Sequence, residues 1–133
     1  AYRGPVLSSS AALHRYLQIE MAGAPRENFR VLFLDAANHI LLARIMWEGP
    51  VSSVQAPPRE IVRCALLHNA TALILAHNHP SGSVQPSHED IKITRHIIHA
   101  CRPLDIRVHD HLIITRSGVA SIMHNRLAMN RND

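Results

Sequence analysis

Residues 71–76 read Thr-Ala-Leu-Ile-Leu-Ala and run straight into His77-Asn78-His79-Pro80-Ser81-Gly82. A short, unbroken apolar run of this kind is a strand buried in a sheet, and a Pro- and Gly-rich segment ends it abruptly. This junction constrains the chain most, because a buried strand needs neighbours on both edges and cover on its faces. The neighbours are legible. Phe29-Arg30-Val31-Leu32-Phe33-Leu34-Asp35 reads as a second buried strand, and the Ala37-Asn38-His39 turn returns the chain into Ile40 to Trp47 as a hairpin. Ile106 to Thr115 and Val119 to Met123 read as closing strands. Helices lie between them. Ser8 to Ser10 cap one that runs to about Met21, with Leu13, Leu17 and Met21 on one face. Pro57-Pro58 open a second that continues to about Asn69, and Ser87-His88-Glu89-Asp90 start a third that ends near Cys101. The tail from Asn125 is polar and basic and is expected to fray. Hairpins mixed with helical crossovers predict an α/β or α+β fold around a mixed sheet.

Composition narrows the class. With 133 residues, 47% of them apolar and 18% charged, the chain suits one folded domain spanning residues 1–133. No apolar run approaches a membrane span, and no charged-then-apolar leader begins the sequence. Two cysteines, Cys64 and Cys101, are too few for a disulfide framework, which predicts a reducing, cytoplasmic setting. Both fall in helical patterns and read as core thiols. A net charge of +4 and a pI of about 9.8 give weak support to contact with DNA. Arg116, Arg126 and Arg131 are scattered, with no aromatic residue between them to stack on bases.

The chemistry concentrates between residues 77 and 90. His77 and His79 stand two apart at a strand end, so both rings leave one face. Two converging imidazoles suit zinc, and Asp90, in the first turn of the next helix, is placed to supply a third ligand kept ionised by the helix dipole. Three protein ligands leave a fourth position for water, whose pKa zinc lowers to about 7. Ser87 and Asp90 also satisfy an S-x-x-D helix cap. An isolated H-x-H pair is common in a chain with 11 histidines, so the weight rests on the whole spaced block. His109 and His111 are another pair two apart and could form a second metal pair. His96 and His99 sit on an exposed helix face, and Trp47 reads as packing.

The string H-x-H-P, six residues, S, two residues, D resembles the JAMM metalloprotease motif at every fixed position. The resemblance extends along nearly the whole chain to the RadC family. His77 to Gly82, Pro86 to Asp90 and Thr94 look like that family's central signature, with Pro58-Arg59-Glu60-Ile61 and Asp110-His111-Leu112-Ile113 as flanking blocks. It implies a JAB/MPN (cytidine-deaminase-like) fold, with a mixed central sheet flanked by helices and zinc at the sheet edge. The helix-hairpin-helix region that RadC proteins usually carry N-terminally has no counterpart in this sequence. Carried over residue by residue, the resemblance makes His77, His79 and Asp90 the zinc ligands and Ser87 a donor to the oxyanion of an attacked carbonyl. It makes Glu27, just before the first core strand, the general base, with Glu20, within the first helix and further from the strand, as rival. It also implies that Asp110-His111 is a structural element, one of whose flanking groups orients a zinc ligand.

The expected function is therefore a zinc-dependent hydrolase acting on a peptide or isopeptide bond of a protein or peptide substrate. The competing expectation is a DNA-associated module with little hydrolase activity, as the family's traditional DNA-repair label suggests. An HNH nuclease is not implied, because in those enzymes the letters are spread over a different fold. A deaminase lacks its H-x-E and P-C-x-x-C pair here.

Overall fold

A computed structural model describes residues 10–50 and 58–124. Ser8, Ser9, Pro57, Arg126, Arg131 and the tail from Asn125 lie outside the described residues, and with them the expected cap and fraying. The elements follow in the order α1 (Ser10–Met21), β1 (Asn28–Leu34), β2 (Ile40–Glu48), α2 (Pro58–Leu67), β3 (Ala72–Asn78) and α3 (His88–Cys101). A 3-10 turn (Arg102–Leu104), β4 (Arg107–Ile114) and β5 (Val119–Ser121) complete the chain.

The strands form one sheet in the order β2-β1-β3-β4-β5. β1 pairs antiparallel with both β2 and β3, β3 pairs parallel with β4, and β4 pairs antiparallel with β5. A parallel pair needs a crossover, and α3 supplies it. The β1–β2 hairpin turns at Asn38, which takes a left-handed conformation (φ 62°), while Asp35 Oδ1 accepts the Ala37 and His39 N–H groups.

Strand alternation divides the core into two layers. Phe29, Val31, Phe33, Leu73 and Leu75 pack against Ile61, Cys64 and Ala65 of α2 and Ile93, Ile97 and Cys101 of α3. On the opposite face, Leu32, Leu34, Ile74, Ala76, Leu112 and Ile114 pack against Leu17 and Met21 of α1. The result is a mixed five-stranded sheet flanked by helices, as expected of a JAB/MPN fold. Trp47 stacks on Phe29 with ring centroids 4.0 Å apart, and both cysteines are buried. No helix among the described residues is long and apolar enough to cross a membrane.

Element ends differ from the sequence reading by up to two residues: α2 stops at Leu67 rather than near Asn69, and β5 at Ser121 rather than Met123. β3 continues through Asn78 rather than stopping at Ala76, because His77 still pairs with Phe29 of β1 and Asn78 with Ile114 of β4. The first histidine is thus a strand residue held on both sides.

Candidate metal centre

The period of two carries on past the apolar run. His77 follows Leu73 and Leu75 onto the face covered by α3, while Asn78 turns to the α1 face. His77 is 1% exposed. His79 lies just beyond the strand, where its N–H donates to Ile114 O of β4 (3.0 Å). Gly82 takes φ +88°, a conformation L side chains rarely adopt, and its N–H returns to His79 O. The tight loop brings Ser83 O to 2.8 Å from His79 Nδ1. A carbonyl only accepts, so Nδ1 carries a hydrogen; Nε2 then bears a second one toward Asp90 in the charged ring and a lone pair in the neutral, ligating ring.

Asp90 arrives by a different device. Ser87 Oγ accepts the Asp90 N–H (3.0 Å), and the Ser87 N–H donates to Asp90 Oδ2 (2.7 Å), a reciprocal capping box that starts α3. The cap aims the carboxylate back at the strand end. His77 Nε2 lies 3.1 Å from Asp90 Oδ1, and His79 Nε2 lies 3.3 Å from Asp90 Oδ2. Among the described residues, His77, His79 and Asp90 are the one group of three or more His, Cys, Asp or Glu with converging ligand atoms, all within 4.8 Å of one another.

These spacings suit a small tetrahedral cation. At Zn–N distances of about 2.0–2.1 Å, neighbouring ligand atoms sit about 3.3–3.4 Å apart. Two imidazole nitrogens and one carboxylate oxygen, with both Nδ1 atoms already engaged, form a fitting donor set. The residues present therefore fit a metal ion.

Burial dominates the electrostatics. It pushes His77 down to about 4 against the pull of Asp90, with the charge of His79 adding to the depression. It pushes His111 down to about 3, with His77 adding to the effect. Burial works against ionised Asp90 as well, but the His79 hydrogen bond, the charge of His77 and the Ser87 contacts outweigh it and hold the carboxyl near 2. His79 moves up, chiefly through its hydrogen bond to Asp90, with Ser83 and the charge of Glu27 contributing.

These directions fix an acid response for the metal-free protein. His77 and His111 bind protons in the unfolded chain from about pH 6.5 downward, but in the folded chain only near 4 and 3. The share of folding stability that depends on these two groups is thus complete above pH 6.5 and is lost as pH falls through that window. The opposite contribution of His79 is already at its full value below pH 6.5 and does not offset the slope. We expect the urea midpoint to drop steadily between pH 6.5 and 4.5. A midpoint independent of pH over that range would show that the two imidazoles are not held neutral.

Glu27 lies in the turn before β1 and lines the same cavity as His77, His79, Ser87, Asp90 and Pro50, a space of about 380 Å³. Its rival Glu20 sits on α1, engaged with Arg30 at 3.2 Å, and does not line that cavity. Ser87 Oγ accepts the cap hydrogen bond, which leaves its own hydroxyl hydrogen free to donate into the cavity. His109 and His111 do not form a second metal pair. His109 is exposed beside Ile98 and Arg102, whereas His111 is fully buried and faces His77. His96 and His99 are exposed on α3.

The sequence reading passed over Asn78. Its Oδ1 accepts the buried Asn28 N–H (2.8 Å), and its Nδ2 donates to Arg26 O (3.0 Å). Those two groups bracket Glu27, whose own carbonyl accepts the Gly49 N–H (2.8 Å). The residue between the two histidines therefore clamps the backbone on either side of Glu27. The available signal was a polar residue at the end of a buried strand, facing away from both histidines.

The sequence model of the family described as "RadC-like JAB domain" matches residues 7–127. The protein named "UPF0758 protein YeeS" of Escherichia coli (strain K12) is 41% identical over 124 residues, covering 93% of this chain and 84% of that relative. "UPF0758 protein YfjY" of the same organism is 43% identical over 124 residues, covering 93% of this chain and 78% of that relative.

Proposed function

Because this chain belongs to the family of RadC-like JAB domains, a group related to the JAMM enzymes, we propose that it is a zinc-dependent hydrolase acting on a peptide or isopeptide bond. The observation that carries the reading is the convergence of His77 Nε2, His79 Nε2 and the Asp90 carboxylate beside Glu27 and Ser87. His77, His79 and Asp90 would hold the zinc. When bound, zinc supplies a Lewis acid that brings the pKa of water to about 7 and polarises a carbonyl.

The chain's own groups supply the rest. Glu27 accepts the proton of the attacking water on its carboxylate and later returns it to the leaving amine. The Asn78 clamp and the Gly49 contact hold the Glu27 backbone while this occurs. Ser87 donates its hydroxyl hydrogen to the oxygen of the attacked carbonyl as charge develops there. Asp90 and the helix cap keep Ser87 and the ligand set in one rigid unit. A peptide or protein reaches these groups from the open side, where residues 81–87 are exposed apart from half-buried Pro86.

The test begins with metal content. We expect the purified chain to take up one zinc per molecule by elemental analysis, with the anomalous signal at His77 and His79. Zinc-loaded protein should cleave members of a peptide and isopeptide library, and a chelator should abolish that cleavage. A chain that stays metal-free in excess zinc overturns the reading. Salt-dependent binding to DNA without any metal-dependent cleavage would favour the DNA-associated alternative.

A further inference from the structure

Two buried polar residues that adjoin the ligand cluster have no task in the proposed reaction. His111 is fully buried, with Nε2 3.4 Å from His77 Nδ1 and Nδ1 2.5 Å from Thr94 Oγ1. Thr94, also fully buried, donates from Oγ1 to the backbone carbonyl of Asp90 at 2.6 Å. The contacts run from the Asp90 carbonyl through Thr94 and His111 to His77, whose far nitrogen faces the Asp90 carboxylate. Both ends of the circuit belong to one residue.

Hydrogen counting restricts how this circuit can be populated. Thr94 has one hydroxyl hydrogen, and each neutral imidazole has one N–H. With the Thr94 hydrogen on Asp90 O, Oγ1 must accept from His111, so His111 carries its hydrogen on Nδ1. His111 Nε2 is then a bare acceptor, and His77 donates to it from Nδ1. His77 Nε2 is left with a lone pair directed at the ligand cluster. The reverse sense would put a hydrogen on His77 Nε2, aimed at Asp90 Oδ1, and would close that position to a cation.

From this connectivity we propose that Thr94 and His111 are positioning residues that fix the tautomer of His77, so that its Nε2 presents a lone pair to the metal ion. The inference rests on the metal-centre reading above and adds the part that makes the buried ligand competent. Metal-ligating histidines usually give their second N–H to a carboxylate, carbonyl or water. Here the acceptor is a second histidine, neutral and sealed from solvent, so the partner adds direction without adding charge.

The experiment measures zinc affinity by chelator competition for the wild-type chain, His111→Leu and the nearly isosteric Thr94→Val. Either substitution should weaken zinc binding by about 10–100-fold, the usual cost of an outer partner. Unfolding of the metal-free variants is measured in parallel, because a merely structural role would lower stability and leave affinity unchanged. Nitrogen-15 correlation spectra of the zinc-loaded wild type should show the ring hydrogen on Nδ1 in both His77 and His111. Affinities within twofold of wild type for both variants would overturn the relay alone. So would a hydrogen on His111 Nε2 in the wild type, which reads out even if the variants fail to fold. A wild-type chain that binds no metal overturns the metal centre and the relay together.

Discussion

Replacing Glu27 by Gln is expected to leave zinc content unchanged and to lower the proposed hydrolysis by on the order of 10²–10⁴-fold, the worth of a positioned acid–base group. The substitution keeps the size of the side chain and its ability to hydrogen bond, and removes only the proton acceptor. Zinc binding should survive because Glu27 is absent from the converging ligand set, although it lines the same cavity. His79, whose upward shift Glu27 supports, should fall slightly in pKa, which if anything favours its neutral, ligating form. Ser87→Ala should also keep zinc and lose a comparable or somewhat smaller factor. That variant gives up the helix cap as well, which costs about 1 kcal/mol of stability. Equal turnover by wild type and Glu27→Gln would remove Glu27 from the mechanism.

The double substitution His77→Ala and His79→Ala should abolish zinc uptake altogether. Its effect must exceed the 10–100-fold or so that loss of an outer partner costs, because two of three ligand atoms disappear. The sheet should persist, since β3 is held through backbone pairing to β1 and β4 and through the Leu73 and Leu75 packing. Circular dichroism like that of the wild type, with no zinc retained after dialysis, is the expected pair of results. Full zinc occupancy in the double variant would sink the ligand assignment.

The strands, helices and ligand spacing could be read from the chain because each rests on a local pattern. The buried run at 71–76, the H-x-H-P junction and the S-x-x-D cap each state their geometry within a few residues. Every element boundary fell within two residues of its reading, and β3 ran longer because pairing with β1 and β4 prolonged it beyond its apolar segment. Asn78 was not legible, and His111 was legible only as a structural element near the ligands and not in its pairing with His77, for the opposite reason. The role of Asn78 depends on which backbone groups, about fifty positions earlier in the chain, arrive beside it through the β1–β3 register. That of His111 depends on the parallel crossover that sets β4 next to β3. Neither register leaves a mark in the spacing of a single segment. The sequence ranked Glu20 below Glu27 by its place within a helix and its distance from the strand, and the structure adds that Glu20 engages Arg30 on the opposite layer.

The ligand set and its supporting groups also differ in how far apart they lie along the polypeptide, and this bears on how the centre assembles. His77, His79 and Asp90 belong to one strand–loop–helix unit, closed by a short loop and a local cap. The Asn78 contacts to Asn28 and Arg26 span 50 and 52 positions, and the His77–His111 contact spans 34. Closing the longer segments costs about 1 kcal/mol more in loop entropy, and those contacts are the ones that slow folding. The short strand–loop–helix unit can therefore bring His77, His79 and Asp90 together with less loop closure than the contacts to β1 and β4 require. The Asn78 and His111 contacts close only once both strands have docked, so in the proposed centre the ligand set would assemble before the groups that support it.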